Sequence, residues 1–326
     1  MKTARIVWVV FVGMILVAFI WMLAPAAVKA AEKDFIRMIV PHAPGSGVDV
    51  QARTISDGLA KALGKPVVVE NLPGAGGIMG IQEIVRAPKD GFTIGMVSSN
   101  LVILPSMHKA LPYDTIKDVT PVSIVGTVSI VLATSPALPV RNLKELIDLA
   151  KSKPAKLNFG SAGIGSVLHL AGELFCSEAG VKLTHVPYKG GGQLMTDVMG
   201  GHVDMAFIAV PSCVQQVKAG KLRAIGVSTP KRSSALPDVP TLAESGLPNY
   251  SYDAWVALIG PSNLPQPIIK RLNAAVVETL KVKEVREAFT VHSEIVGSTP
   301  EEAKRIFKAD LIKNAKLVKQ SGAKID

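Results

Sequence analysis

Leu157-Asn158-Phe159-Gly160-Ser161-Ala162-Gly163-Ile164-Gly165-Ser166-Val167-Leu168-His169-Leu170 reads as a short strand, a glycine-serine loop and the opening turn of a helix. A second copy of the design follows. Leu183-Thr184-His185-Val186-Pro187 is its strand, Tyr188-Lys189-Gly190-Gly191-Gly192 its loop, and Gln193-Leu194-Met195-Thr196-Asp197-Val198-Met199 its helix. Strand–loop–helix units in succession predict right-handed crossovers and a mainly parallel sheet. A helix start approached through glycines also presents unpaired N–H groups and a partial positive charge, which suits an anion.

The same alternation runs through the rest of the chain. Residues 35–41 form an apolar strand, 44–47 a turn, and 48–63 a helix with Val50, Ile55, Leu59 and Leu63 on one face and Gly64 closing it. A strand over 67–70, a glycine-rich turn at Pro73-Gly74-Ala75-Gly76-Gly77, a helix over 78–86 and a strand over 92–97 complete a βαβαβ unit. Residues 122–133 are continuously apolar and β-rich, as expected of one long strand buried on both faces. Further elements are expected at 143–152 (helix), 203–209, 224–229 and 251–259 (strands), and 267–281 and 300–320 (amphipathic helices). The fold class is therefore α/β, in two lobes. We expect residues 31–131 and 253–326 to form lobe 1 and 132–252 lobe 2, with the cleft between them. In open α/β sheets ligands sit beyond the carboxyl ends of the strands, where the glycine-serine loops lie.

Residues 1–30 have the layout of a secretory signal peptide: Lys2 and Arg5, an apolar run from Ile6 to Leu23, and Val28-Lys29-Ala30 before a cut. An uncleaved membrane anchor is the alternative, since 18 apolar residues just span a bilayer. Either way the remainder is expected outside the cytoplasm, in the periplasm. The formal charge of +10 falls to +7 when Lys2, Arg5 and Lys29 are set aside. The basic residues are scattered with little aromatic interleaving, which argues against a nucleic-acid partner. Two cysteines, Cys176 and Cys213, are expected as buried thiols, with pairing as the alternative. His169 and Glu173 share a helix face, but two groups do not make a metal site. No metal and no cofactor is expected.

Each loop has a bland reading beside the functional one. In Pro41-His42-Ala43-Pro44-Gly45-Ser46-Gly47-Val48-Asp49, Ser46 and Asp49 can simply cap a helix, and Gly45 and Gly47 can serve the turn or a close ligand approach. Residues 160–166 hold three glycines and two serines, more than a turn requires. A P-loop would need Lys then Ser or Thr after the last glycine, whereas Gly165 is followed by Ser166 and Val167. Neither this loop nor 73–77 has G-x-G-x-x-G spacing, and 73–77 is read as structural. A Ser-His arrangement drawn from Ser161 or Ser166 with His169 or His185 lacks the G-x-S-x-G elbow, so an enzyme is not expected.

In order and number, these segments resemble the Bug family of extracytoplasmic solute receptors, the substrate-binding components of tripartite tricarboxylate transporters. The resemblance runs through the first loop to Asp49, Asn71-Leu72-Pro73-Gly74-Ala75-Gly76-Gly77, Asp90-Gly91-Phe92-Thr93, Leu111-Pro112-Tyr113-Asp114 and 160–166. It continues through His169-Leu170, Glu173-Leu174-Phe175, Val186-Pro187-Tyr188-Lys189-Gly190-Gly191, Leu236-Pro237-Asp238-Val239-Pro240-Thr241-Leu242-Ala243-Glu244 and Trp255. It implies a type II periplasmic-binding-protein fold whose lobes close on a small carboxylate held by backbone groups and ordered waters. Permease subunits would be the membrane partner. Carried over residue by residue, the ligand loops are Gly45, Ser46, Gly47 and Asp49 in lobe 1 and Ser161, Gly163, Gly165 and Ser166 in lobe 2. Ser98 and Asn100 join them by position, and His42, Tyr188, Lys189 and Gly190 are secondary candidates. The family usually has an aromatic residue where this chain has His42, and a glycine where it has Ser46. Two other readings are a receptor that presents a carboxylate to a sensor kinase and, more remotely, a secreted esterase-like hydrolase.

Overall fold

A computed structural model describes residues 34–188, 191–291 and 293–322. The chain divides into one unit over Met1–Asp34 and a second, compact one over Phe35–Asp326, whose fold follows. The expected signal segment, Lys189 and Gly190 lie outside the described residues.

The elements in chain order are β1 Ile36–Val40, α1 Gly47–Leu63, β2 Val67–Asn71, α2 Ile78–Arg86, β3 Thr93–Ser98, a short α3 Leu104–Met107 and β4 Val119–Val128. Then come β5 Ile130–Thr134, α4 Leu143–Ser152, β6 Asn158–Ser161, α5 Val167–Ala179, β7 Thr184–Pro187, α6 Gly191–Met199, β8 Met205–Ala209, α7 Val210–Lys218 and β9 Arg223–Val227. The chain ends with β10 Ala254–Pro261, α8 Gln266–Thr279, α9 Lys283–Thr290, β11 Glu294–Ile295 and α10 Pro300–Ser321.

Among the described residues eleven strands form two sheets, ordered β2-β1-β3-β10-β4-β11 and β7-β6-β8-β5-β9. In the first, β1 is parallel to β2 and β3, and β10 is antiparallel to β3 and β4. In the second, β6 is parallel to β7 and β8, and β5 is antiparallel to β8 and β9. Each sheet thus places a βαβ set of three parallel strands beside one antiparallel strand that arrives from the other sheet. The parallel arrangement read from the sequence holds for those three-strand sets, and the incoming strand makes each sheet mixed.

Alternation explains why the strand sequences are apolar throughout. Met38 and Val40 join one core cluster and Ile39 another, on opposite faces of the first sheet. Ile130 and Leu132 divide from Val131 and Ala133 in the same way. Sheets covered by helices on both faces select such runs.

The continuous strand expected over 122–133 is in fact two. β4 stays in the first sheet, Ser129 breaks the run, and β5 enters the second. Both halves are buried, so composition carries no mark of the break. Two helices went unread. Val210-Pro211 opens α7 directly after β8, and Cys213 lies inside that helix. The polar α9 buries only Phe289.

The two crossings, β4 to β5 and β9 to β10, are tied together. Ile130 N–H donates to Ser228 Oγ at 3.2 Å, Ser228 N–H to Ile130 O at 2.7 Å, and Tyr252 N–H to Ser228 O at 3.0 Å. Helix α10 is shared between the lobes. Ala303 and Phe307 pack in a first-sheet core, with Phe307 stacked on Trp255 at 4.6 Å between centroids. Leu317 and Val318 pack in a second-sheet core. At 1.5 Å per residue a helix of 22 residues reaches about 33 Å, enough to serve both.

Candidate functional site

The loops after β1 and β6 are built alike. Gly45 and Gly165 take φ of +78° and +72°, the left-handed region that glycine tolerates. The next residues, Ser46 and Ser166, are extended N-caps at φ/ψ of −65°/157° and −68°/158°. Their hydroxyls accept the N–H of the third helical residue, Asp49 and His169, at 3.3 and 3.2 Å. Those side chains reach back in turn. Gly45 N–H donates to Asp49 Oδ2 at 2.8 Å, and Gly165 N–H to His169 Nδ1 at 3.1 Å. The first and second helical residues, Gly47 and Val48 in one loop and Val167 and Leu168 in the other, have no intrahelical acceptor for their N–H groups. Each loop therefore spends the amides of its glycine, its serine (Ser46 to Ala43 O at 3.1 Å, Ser166 to Gly163 O at 3.2 Å) and its third helical residue on shape, and offers those of the first two helical residues.

This assigns the candidates. Ser46 and Ser166 hold their loops. Asp49 is buried and engaged on every side: Arg53 Nε at 3.0 Å, Asn71 Nδ2 at 2.9 Å and the Gly45 amide. Burial pushes its carboxyl up, but the bonds from Arg53, Gly45 and Asn71 outweigh this and hold it below the usual carboxylate range. Asn71 also donates to His42 O at 3.1 Å, so Arg53, Asn71 and Asp49 together brace the first loop. Neither Arg53 nor Asn71 is among the site residues read from the sequence: Arg53 to Asp49 is an ordinary i,i+4 pair on α1, and Asn71 reaches Asp49 and His42 O from the end of β2.

Ser98 ends β3, and its Oγ lies 3.1 Å from His42 Nε2. Burial lowers the His42 pKa, so the imidazole is neutral at pH 7. Asn100 sits in the helical turn after β3, and its carbonyl accepts Ile103 N–H at 2.9 Å. That segment leads into α3, whose Met107 packs in a second-sheet core. A Cβ on Gly165 would come within 2.4 Å of Met107 Cε. The chain after β3 is thus in contact with the second loop.

Beneath the second loop lies a polar knot. Ser161, wholly buried, has its Oγ 2.7 Å from His185 Nε2, accepts Gly163 N–H at 3.2 Å and donates to Gly163 O at 3.1 Å. His185 stacks on His169 at 3.8 Å between centroids, and His169 Nε2 faces Glu173 Oε1 at 3.4 Å. Burial, then the neighbouring His169, bring the His185 pKa down to about 4. The Ser-His arrangement weighed from the sequence does form, but its serine hydroxyl is enclosed by its own loop. The Tyr188 hydroxyl donates to Asp197 Oδ2 at 2.8 Å, and burial with that carboxylate pushes it up to about 12. Of the four Ser-His combinations open in the sequence, the parallel register of β6 with β7 selects Ser161 with His185.

Both thiols are free, Cys213 buried and Cys176 half-buried, and burial raises each to about 12. Among the described residues no group of three or more His, Cys, Asp or Glu side chains is placed to hold a metal, and no helix is long and apolar enough to cross a membrane. A cavity of about 330 Å³ between Thr115, Phe307 and the starts of α8 and α10 is lined by none of the loop candidates.

Two sheets of one strand order, two crossings and paired glycine-serine loops at the strand ends define a two-lobed α/β binding protein of the periplasmic type. The sequence profile of the Tripartite tricarboxylate transporter family receptor matches residues 51–323, and the chain belongs to this family. Protein BugT of Bordetella pertussis is 35% identical over 305 residues, covering 93% of this chain and 94% of its own. A solved structure from R. palustris with adipate has a TM-score of 0.76 at 29% identity, covering 90% of this chain and all of that one. MatC of Rhodopseudomonas palustris with bound malate has a TM-score of 0.72 at 29% identity, covering 87% and 98%.

Proposed function

We propose that this protein captures a small organic carboxylate in the periplasm and presents it to the membrane permease subunits of a tripartite tricarboxylate-type transporter. The observation that carries the reading is the pair of matched loops, each leaving two helix-start amides for an anion. The ligand sites would be the loops Gly45–Asp49 and Ser161–Ser166, with Ser98 and Asn100, between lobes spanning 31–131 with 253–326 and 132–252. Residues 1–30 would direct export.

A carboxylate docks first on one loop. Closure brings the second loop to bear and excludes water, which strengthens charge-assisted hydrogen bonds. The ligand must bind the closed form better than the open one to shift the population. His42, neutral and bonded to Ser98, gives the first lobe a polar group where relatives usually place an aromatic one, favouring a ligand with a second polar function.

A thermal-shift screen of mono-, di- and tricarboxylates, with the matching amides as controls, tests this. A ligand that binds only the folded state raises its melting temperature. A shift with an acid and not with its amide, accompanied by compaction in solution scattering, is the expected result. Equal shifts with acid and amide would remove the anion seat from the reading.

A further inference from the structure

Helix starts in this chain repeat one device, in which the third helical residue caps backwards with its side chain. At α4, Glu145 accepts Arg141 N–H at 2.7 Å, while Asn142 caps Glu145. At α10, Glu302 accepts Thr299 N–H at 2.9 Å. At α1 the residue is Asp49. At α5, the helix that opens the second ligand loop, it is His169.

The exchange of carboxylate for imidazole has an electrostatic consequence. A carboxylate in that position lies beside the amides offered to the ligand and opposes a bound anion. The first loop offsets Asp49 with Arg53, 3.0 Å away. The second loop needs no offset, because its acceptor carries no charge. His169 Nδ1 receives the Gly165 N–H, so that nitrogen is unprotonated and the ring proton lies on Nε2, directed at Glu173. The ring is 4% exposed and stacked on His185 with 16° between planes, which fixes its orientation.

We propose that His169 is the positioning residue of the second-lobe loop. As a neutral acceptor it holds Gly165 in its left-handed conformation and aims the Val167 and Leu168 amides, without placing a negative charge next to the ligand. The role in binding rests on the carboxylate reading above; the role in shaping the loop does not.

The test uses the full-length protein, ¹⁵N-labelled, with the variants His169→Asn, His169→Asp and His169→Leu. Two readouts need no ligand: the imidazole tautomer from long-range ¹H–¹⁵N correlation, and hydrogen exchange of the Gly165 amide. We expect the Nε2–H tautomer in the parent. We expect Gly165 protection to persist in the Asn and Asp variants and to fall about tenfold or more in the Leu variant, which has no acceptor. Calorimetry with malate and adipate supplies the third readout. For an acid that the parent binds, the Asn variant should stay within about threefold. The Asp variant should weaken about tenfold through its charge, and the Leu variant by a similar factor through the loosened loop. A proton on Nδ1, unchanged Gly165 exchange in the Leu variant, or parent-like affinity in the Asp variant would each overturn the proposal. Failure of the parent to bind either acid would count against the carboxylate reading, and the two ligand-free readouts would still uphold or overturn the positioning role.

Discussion

Ser46 and Ser166 hold the same station in the two loops, and each satisfies one helix-start amide. Replacing either by alanine should cost about 1 kcal/mol of stability, the usual worth of such a cap. Urea midpoints compared at constant slope would measure it. An unchanged midpoint would mean that water caps the helix equally well. Ser46 was legible as a cap, since a short polar residue before an apolar-periodic run marks a helix start, whereas Ser166 was read only as a ligand-loop residue. The knot below the second loop was legible only as a set of candidate serines and histidines. The register of β6 with β7 decides that Ser161 pairs with His185. Its pH signature follows from the depressed pKa. His185 is near 4 when folded and about 6.5 when unfolded, so between those values the unfolded chain binds the extra proton. This contribution to stability is complete above about pH 6.5 and is lost as pH falls toward 4. Melting temperatures of the parent and His185→Gln across that range should converge toward pH 4, where the parent has lost its advantage. Parallel curves would show that His185 does not titrate there.

At the scale of elements, glycines fix how closely helices approach the strands that carry the site. Gly80 in α2 is the clearest case. A Cβ there would meet Leu72 O at 2.7 Å and Pro41 Cα at 2.9 Å, both backbone atoms that cannot rotate aside. Pro41 directly precedes His42 and the first loop. Gly80→Ala should therefore lower stability by about 1–3 kcal/mol through overpacking. That outweighs the gain of about 1 kcal/mol that alanine brings to a helix interior. It should also weaken ligand binding by pushing the 41–46 loop outward. A stabilised variant with parent affinity would show that α2 can shift without moving the loop. The βαβ units around these glycines were readable because strand, turn and helix periods differ along the chain. The break at Ser129 was not, since both sides of it are buried and β-rich. Nor was α9, whose polar sequence buries a single phenylalanine.

For the whole molecule, the question is what ties the crossings to the lobes they join. Helix α10 holds the second crossing at several points. Trp255 Nε1–H donates to Asp310 Oδ2 at 2.8 Å, Tyr252 O–H to Asn314 Oδ1 at 2.8 Å, and Lys313 pairs with Asp310 at 3.2 Å. Asp253 lies among them, and burial, then the charge of Asp310, push its carboxyl up to about 6. A raised folded pKa means that protonated Asp253 favours the folded state. That contribution is full below about pH 3.9, the unfolded value, and is lost as pH rises through about 6. Its sign is opposite to that of His185, and the two windows overlap. The parent should therefore show a shallow stability profile between pH 4 and 6, with each single substitution exposing the other slope. Asp253→Asn keeps the neutral form at every pH. It should melt above the parent at pH 7.5 and level with it near pH 4, where the parent carboxyl is protonated. If the difference between the two proteins is the same at both ends, Asp253 does not titrate in this window, and α10 tolerates a charged carboxylate at the crossing.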